Sequence, residues 1–328
     1  MLRLRPFRLV QPSTVHEAVE SLATNGDGAR VLGGGTDLLP NLKLGMSAAA
    51  VLVSLRGVRE LRGVTVADDE VRIGAGTTLD EVASSPVVRE MLPALATAAG
   101  SVASPQIRRA ATLGGNVCLD TRCRYVNQSE LFRTALGGCL KCRGDACHVV
   151  PGGTTCVAAL SSDTLAPLIA LDARIDVHGP AGVRNLPVLE LRAADGVRPV
   201  LLGPAEIVTA VRIPMPERTT VCVFRKWAVR RSIDYPLVSL ALRFDMDGGH
   251  VAGGKLVLGV LGSKPRVVSL DALAGASSGE ALAERVGELA FSHAKPLPNI
   301  PYDPVYRRER IAVEARRAAR ALWTGGGS

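Results

Sequence analysis

Five of the seven cysteines fall within residues 123–156, and no other feature constrains this chain as tightly. In the segment TRCRYVNQSELFRTALGGCLKCRGDACHVVPGGTTC, Cys123, Cys139, Cys147 and Cys156 follow one another at separations of 16, 8 and 9 residues. Loops of that kind close around a common centre. Thiolates are soft ligands, and a set of four suits either tetrahedral zinc or an iron–sulfur cluster whose irons each take one protein sulfur. Disulfides are the third reading and the least favoured. The opening MLRLRPFRLVQPSTVHEAVE has no apolar core followed by a small-residue cleavage site, so a reducing, cytoplasmic setting is expected. Zinc sites usually repeat a short CxxC knuckle, whereas here only Cys139 and Cys142 form one. Cys118, Cys142 and Cys222 are spare thiols; Cys222, in the apolar run TTVCVF, reads as core packing.

A chain of 328 residues exceeds one typical core, so two or three domains are expected. Hydrophobic residues make up 47%, charged residues 21%, and no apolar run approaches the length of a membrane span, which excludes a membrane role and predicts a globular protein. Aromatic residues make up only 3%, too few for a base-stacking nucleic-acid platform. The net charge of +8 favours an acidic partner or an anionic ligand. No internal repeat is evident.

Along the chain, residues 7–10 read as a strand, and Thr14 with Glu17 as a capping box opening a helix to about residue 25. ARVLGGGTDLLPNLK then places Gly33, Gly34 and Gly35 between a short strand and a potential helical turn. Successive glycines let backbone N–H groups converge on an anion. The spacing matches neither a Rossmann GxGxxG nor a Walker A loop. VLVSL and VRIGAG read as strands, Thr78 with Glu81 as a second capping box, and residues 86–104 as helix broken near Pro93 and Pro105. ATLGGNVC reads as a second glycine loop, with Thr112, Gly114, Gly115 and Asn116 available. Two such loops from separate places could cradle a dinucleotide pyrophosphate. Asp163 precedes an apolar helix-like stretch, where it serves either the helix N-terminus or a ligand. The prolines at 214 and 216 mark a domain boundary. Beyond it, VCVFRKWAV, PLVSLALRFDM and GKLVLGVLG read as antiparallel strands, and SGEALAERVGELAFSHA as a helix. The last helix carries Ile311, Ala315, Ala318 and Leu322 on one face, expected to pack on its own domain. Arg230, Arg231 and Asp234 fit a structural ion-pair cluster.

The ordered set LGGGTDLLPNLK, ATLGGN, SSDTLAP and FRKWAVRRSIDYPLVSLAL, spread over nearly the whole chain, resembles the flavin-binding medium subunit of the xanthine oxidase family of molybdenum hydroxylases. The resemblance implies an α+β fold: a two-part FAD-binding domain of the CO dehydrogenase flavoprotein or vanillyl-alcohol oxidase type at 1–216, with subdomains of about 1–58 and 59–216, then a smaller α+β domain of the CO dehydrogenase flavoprotein type at 217–328. It implies FAD contacts from Leu32, Gly33, Gly34, Gly35, Thr36 and Asp37, from Thr112, Gly114, Gly115 and Asn116, and from Asp163, with Lys226 near the flavin ring. A cation there favours the anionic reduced flavin and so tunes its potential.

Most members of that family pass from GGN to SSD within a few residues, whereas here about 40 more intervene, an insertion at 118–158. Its TRC, NQSE, GCLK and GDACHV are similar to an insertion in the β subunit of 4-hydroxybenzoyl-CoA reductase that binds a 4Fe-4S cluster. The matching ligand positions are Cys123, Cys139, Cys147 and Cys156, with Cys142 a possible substitute for Cys139. The resemblance also implies that substrate chemistry lies on another chain. Partners would be a molybdopterin-binding large subunit and a small subunit with two 2Fe-2S clusters, assembled as a dimer of heterotrimers, with no catalytic residue here. Electrons would run from ferredoxin or a similar carrier through 4Fe-4S, FAD and 2Fe-2S to molybdenum. The alternative keeps the fold and reverses the flow, as in a xanthine dehydrogenase-like hydroxylase delivering to NAD or another acceptor. A zinc-binding nucleic-acid module is the rival from another class. Sequence leaves open the substrate, the carrier and whether the terminal GGGS is native.

Overall fold

The computed structural model describes residues 3–230 and 232–323; Arg231 and the GGGS tail named above lie outside them. β1 (Arg8–Val10), β2 (Ala29–Leu32) and β3 (Val51–Ser54) form a parallel sheet in the order β1-β3-β2. Between the first two strands runs α1 (Val15–Asn25), whose Val15, Ala18, Val19 and Leu22 recur at helical spacing and pack on Val51 and Val53. Thr14 caps it by accepting the Glu17 N–H, but the Glu17 carboxylate accepts from Ser13 N–H at 2.7 Å. The expected box is thus only half closed at Thr14. α2 (Leu38–Lys43) follows the first glycine segment.

β4 (Val64–Ala67), β5 (Glu70–Gly74), β6 (Arg174–Gly179), β7 (Gly182–Pro187) and β8 (Ile207–Pro214) make an antiparallel sheet ordered β4-β5-β8-β6-β7. The long connection from β5 to β6 carries α3 (Leu79–Ser84), α4 (Pro86–Met91), α5 (Pro93–Gly100), α6 (Pro105–Arg108), α7 (Leu113–Val117), α8 (Glu130–Ala135) and α9 (Leu165–Ala170). Thr78 and Glu81 close a complete capping box on α3. Pro86, Pro93 and Pro105 each occupy the first turn of a helix, where a missing N–H costs nothing, so the proline breaks become helix starts. Leu79, Val82, Leu95, Leu165 and Leu168 cover Ile73, Ile175 and Val211 to form the main core.

β9 (Thr220–Trp227), β10 (Val238–Asp247), β11 (His250–Leu258) and β12 (Arg266–Ser269) form a second antiparallel sheet, ordered β12-β11-β10-β9. Side chains alternate along β10: Leu240, Leu242 and Phe244 meet α10 (Glu280–His293) and α11 (Pro304–Trp323), while Ala241 joins the main core. Ile311, Ala315 and Ala318 of α11 are buried in this layer, as the sequence pattern predicts. The fold is α+β, a larger N-terminal part built on the first two sheets followed by an α+β C-terminal part built on the third. Among the described residues no helix is long and apolar enough to cross a membrane.

Candidate functional site: a double glycine cradle beside a four-thiol cavity

The first glycine segment leaves β2 at Leu32 and turns through Gly35, whose φ of +74° suits glycine. It lies directly against the second. A Cβ on Gly33 would sit 3.1 Å from Thr112 Oγ1, and one on Gly34 only 1.8 Å from the carbonyl oxygen of Ala110. Two backbones approach this closely only without side chains. The amides of Gly34, Gly35 and Thr36 donate to no protein acceptor among the described residues, so they remain available to an anion.

The second segment is not the loop expected from ATLGGN. Residues 113–117 form the single turn α7, capped by Thr112, whose hydroxyl accepts from Gly115 N–H at 3.2 Å. Leu113 and Gly114 donate to Thr77 and Ala75 carbonyls at 2.9 and 2.8 Å, which pins α7 to the end of β5. The poor helix propensity of glycine hides this turn from sequence, and tertiary bonds override it. Asn116 is buried, and its Oδ1 accepts from Ser162 Oγ, Thr164 Oγ1 and Thr164 N–H at 2.8, 2.7 and 3.3 Å. Asn116 therefore shapes the SSDT turn that holds Asp163.

Asp163 is 2% exposed, and its Oδ2 accepts from Lys226 Nζ at 2.7 Å; the same ammonium donates to Ser101 O at 2.9 Å. Burial pushes the Asp163 carboxyl up to about 6, against the opposing pull of Lys226. Its Oδ1 is buried without a donor. An unsatisfied buried acceptor in that position fits a ligand bearing hydroxyl or amide donors, as FAD does. Asp37 faces differently: its carboxylate pairs with the buried guanidinium of Arg122 and accepts from Asn41 Nδ2 at 3.0 Å.

Cys123, Cys139, Cys147 and Cys156 line one cavity together with Leu140, Val149, Val157, Lys141 and His148. Cys142 does not line it. A tight turn in which Cys139 and Cys142 exchange N–H···O bonds of 3.1 and 2.7 Å leaves Cys139 on the cavity side. Burial pushes the Cys123 and Cys156 thiols up; N–H groups of Tyr125 and Val126 at Cys123, and of Ala158 at Cys156, work in the opposite sense by stabilising sulfur charge. Val150 N–H reaches Cys147 Sγ at 3.5 Å. Among the described residues no three His, Cys, Asp or Glu side chains are placed to hold a metal ion, so the side-chain geometry supports neither the zinc expectation nor the 4Fe-4S one. All seven cysteines are unpaired. Cys118 and Cys222 pack against the main core, where burial pushes their thiols up to about 11 and about 12.

Three bracing residues escaped the sequence reading. Lys141 Nζ donates to Asp120 Oδ1 at 2.7 Å, Thr121 Oγ1 at 2.9 Å and Gly196 O at 2.5 Å, fixing the knuckle between Cys139 and Cys142. Asn299 accepts Arg124 N–H on its carbonyl at 2.7 Å and donates from Nδ2 to Val157 O at 2.7 Å, holding the chain just past Cys123 and Cys156. Arg307, fully buried, donates to Val260 O at 2.7 Å and Leu297 O at 3.0 Å, and so holds the segment that carries Asn299.

Residues 5–216 match the family described as the FAD binding domain in molybdopterin dehydrogenase. The chain is 30% identical to the putative xanthine dehydrogenase FAD-binding subunit XdhB of Escherichia coli K12 over 255 residues, 77% of this chain and 73% of that one. It is also 30% identical to the aldehyde oxidoreductase FAD-binding subunit PaoB of the same organism, over 96% of this chain and 100% of that one. A solved structure of carbon monoxide dehydrogenase from Hydrogenophaga pseudoflava superposes with a TM-score of 0.79 at 25% identity, covering 99% of this chain and 100% of that one. The glycine cradle, the buried Asp163–Lys226 pair and these matches lead to one conclusion: the chain belongs to the FAD-binding medium subunits of the molybdenum hydroxylases, of CO dehydrogenase and xanthine dehydrogenase type, and is an oxidoreductase subunit.

Proposed function

We propose that this chain passes electrons outward from a molybdenum site on a partner subunit, through FAD in the glycine cradle, to NAD or another acceptor, and that its insertion holds an additional 4Fe-4S cluster on Cys123, Cys139, Cys147 and Cys156. The observation that carries the reading is the meeting of the two glycine segments beside Asp163 and Lys226, next to a cavity lined by four thiols. Bound flavin supplies exchange between two-electron and one-electron transfer, and a bound cluster supplies one-electron relay. The chain's own part is to hold and tune. Amides of Gly34, Gly35 and Thr36 would hold the pyrophosphate, Thr112 and Asn116 fix the opposing turn, and Lys226, bonded to Asp163, would lie near the flavin ring. Asp163 offers its free oxygen and can hold a proton near neutrality.

The outward direction rests on the relatives, named as dehydrogenases and as an oxidoreductase. A second reading, electrons flowing inward from ferredoxin as in 4-hydroxybenzoyl-CoA reductase, is favoured by one observation: the thiol cavity in the insertion. Cys118, Cys142 and Cys222 are too few and too scattered for two 2Fe-2S clusters, which supports a separate small subunit beside a molybdopterin-binding large one, in a dimer of heterotrimers. The domain limits of 1–58, 59–216 and 217–328 belong to the same proposal.

Anaerobic purification followed by iron, zinc and flavin analysis tests the cofactor set. About one FAD and four irons per chain are expected, and zinc without flavin overturns the proposal. Offering purines, aldehydes and acyl-CoA thioesters to the assembled complex tests the direction. Reduction of the flavin by a purine or an aldehyde supports outward flow, and turnover only of acyl-CoA with reduced ferredoxin supports the inward reading.

A further inference from the structure

The insertion does more than sit beside the flavin cradle: it grips the helix that carries the cradle's first half. α2 is flanked by its N-cap Asp37, the last residue of the first glycine segment, and by its C-cap Leu44. Arg122 reaches Asp37 from the position just before Cys123, across 85 residues of sequence, with its side chain 9% exposed. Arg133, in α8 and also buried, donates from Nη2 to Leu44 O at the other end of α2 at 2.7 Å, across 89 residues. A further Arg133 nitrogen bonds to the carbonyl of Gln128 within the insertion. Both ends of α2 are therefore held by arginines whose backbones flank or belong to the thiol loops.

The backbone of Arg122 is itself part of the cavity's frame. Its N–H and C=O exchange bonds of 2.8 and 2.7 Å with Ala159, and this bridge ties the chain before Cys123 to the chain after Cys156. A change in the spacing of those two thiols moves the bridge, the bridge moves the Arg122 guanidinium, and Asp37 follows because that guanidinium is buried and does not leave its carboxylate partner cheaply. Asp37 also accepts from Asn41 inside α2, so helix and glycine segment shift together.

We infer that Arg122 and Arg133 are positioning residues that couple the thiol cavity to the flavin cradle, so that iron in the cavity strengthens FAD binding. The inference rests on the cofactor reading proposed above. Two sites joined by one rigid element share a coupling free energy, for which a factor of roughly five to tenfold in affinity is typical of modest linkage.

The test is a titration of the full-length chain with FAD, followed by flavin fluorescence quenching, before and after anaerobic removal of iron with a chelator. In the wild type, iron removal is expected to weaken FAD binding by roughly five- to tenfold. Arg122→Gln with Arg133→Gln should bind FAD with the weaker affinity from the outset, and chelation should change it no further. Arg122→Lys, which keeps the charge, should retain part of the response. Thermal unfolding of each variant separates a lost clamp from a lost fold, and the wild-type chelation experiment stands without any variant. Unchanged FAD affinity after iron removal from the wild type overturns the coupling, as does a full chelation response in the doubly substituted chain. Absence of iron or of FAD from the purified wild type overturns instead the cofactor reading, and the coupling with it.

Discussion

Gly34→Ala is the sharpest single perturbation of the cradle. Its added Cβ would lie 1.8 Å from the Ala110 carbonyl oxygen, 2.5 Å from that carbonyl carbon and 2.9 Å from the Ala111 Cα. An ordinary contact begins near 3.4 Å, so the two segments must part by about 1.6 Å. Flexible side chains usually absorb overpacking at a cost of about 1–3 kcal/mol. Here both partners are backbone, and Ala110 and Ala111 are held by bonds from their N–H groups to Ile107 O at 3.1 and 2.7 Å, so the cost should reach the top of that range. Drawn from FAD binding, about 3 kcal/mol is more than a hundredfold in affinity. Gly33→Ala meets only the Thr112 hydroxyl at 3.1 Å and should weaken binding far less; Gly28→Ala meets Ala50 Cβ at 3.8 Å and serves as a neutral control. Affinity is read by flavin fluorescence quenching, with thermal unfolding alongside. Equal FAD affinity in the Gly33 and Gly34 variants would refute the claim that close backbone approach builds the site.

Asp163 gives a pH signature. Its folded value of about 6 lies above the ordinary carboxylate value, so the stability it contributes is complete below about pH 4 and is lost as pH rises through about 6. The shift corresponds to roughly 3 kcal/mol; in flavin-free chain, denaturant unfolding between those pH values should show the decline, and Asp163→Asn should flatten it. Persistence of the slope in the variant would assign it to another group. Cys147→Ser should lose iron while keeping FAD supplied in excess, whereas Cys142→Ser, outside the cavity, should keep both; iron loss in the second but not the first reverses the ligand assignment. Asn299→Ala removes the donor to Val157 O and Leu261 O from a fully buried site and should lower stability by about 1–3 kcal/mol. Its iron should also leave faster under chelation than from the wild type, and unchanged retention would separate Asn299 from the cavity.

The parts of the site legible in sequence were those with local signatures. GGGTD announces a close backbone approach because only glycine permits one, and clustered cysteines announce a shared centre whatever the fold. The Thr78–Glu81 box and the apolar face of α11 were readable because partners stand three or four residues apart. Asp163 stands out locally as a helix N-terminal or ligand carboxylate, Lys226 only through family resemblance, and the ion pair between them, 63 residues apart, requires coordinates. Arg122, Arg133 and Asn299 carried no local signal at all: a buried arginine is indistinguishable in sequence from the solvated ones that dominate a chain with 39 Lys and Arg. The turn at residues 113–117 failed for the opposite reason, since its glycines argue locally against the helix that bonds to Thr77 and Ala75 impose.

Those bracing residues explain how the long segment between Arg122 and Ala159 is held. The bridge between Arg122 and Ala159 closes the neck of that segment, so its length costs the fold little; closure entropy grows only slowly with loop size. Inside the neck the difficulty is different. Between residues 123 and 157 only Val126, Arg133 and Cys156 are buried, far too little apolar area to offset the ordering of some thirty residues at about 1–2 kcal/mol each. The segment therefore depends on what surrounds it: Lys141 ties it to Gly196, Asn299 to the C-terminal domain, and Arg133 to α2. On the cofactor reading proposed above, the four thiols would complete that list, because bonds to a metal cluster would supply in a few atoms the cohesion that a hydrophobic core supplies in many. An insertion stabilised by its neighbours cannot be indifferent to them, and the neighbour it grips at both ends is the helix beneath the flavin cradle.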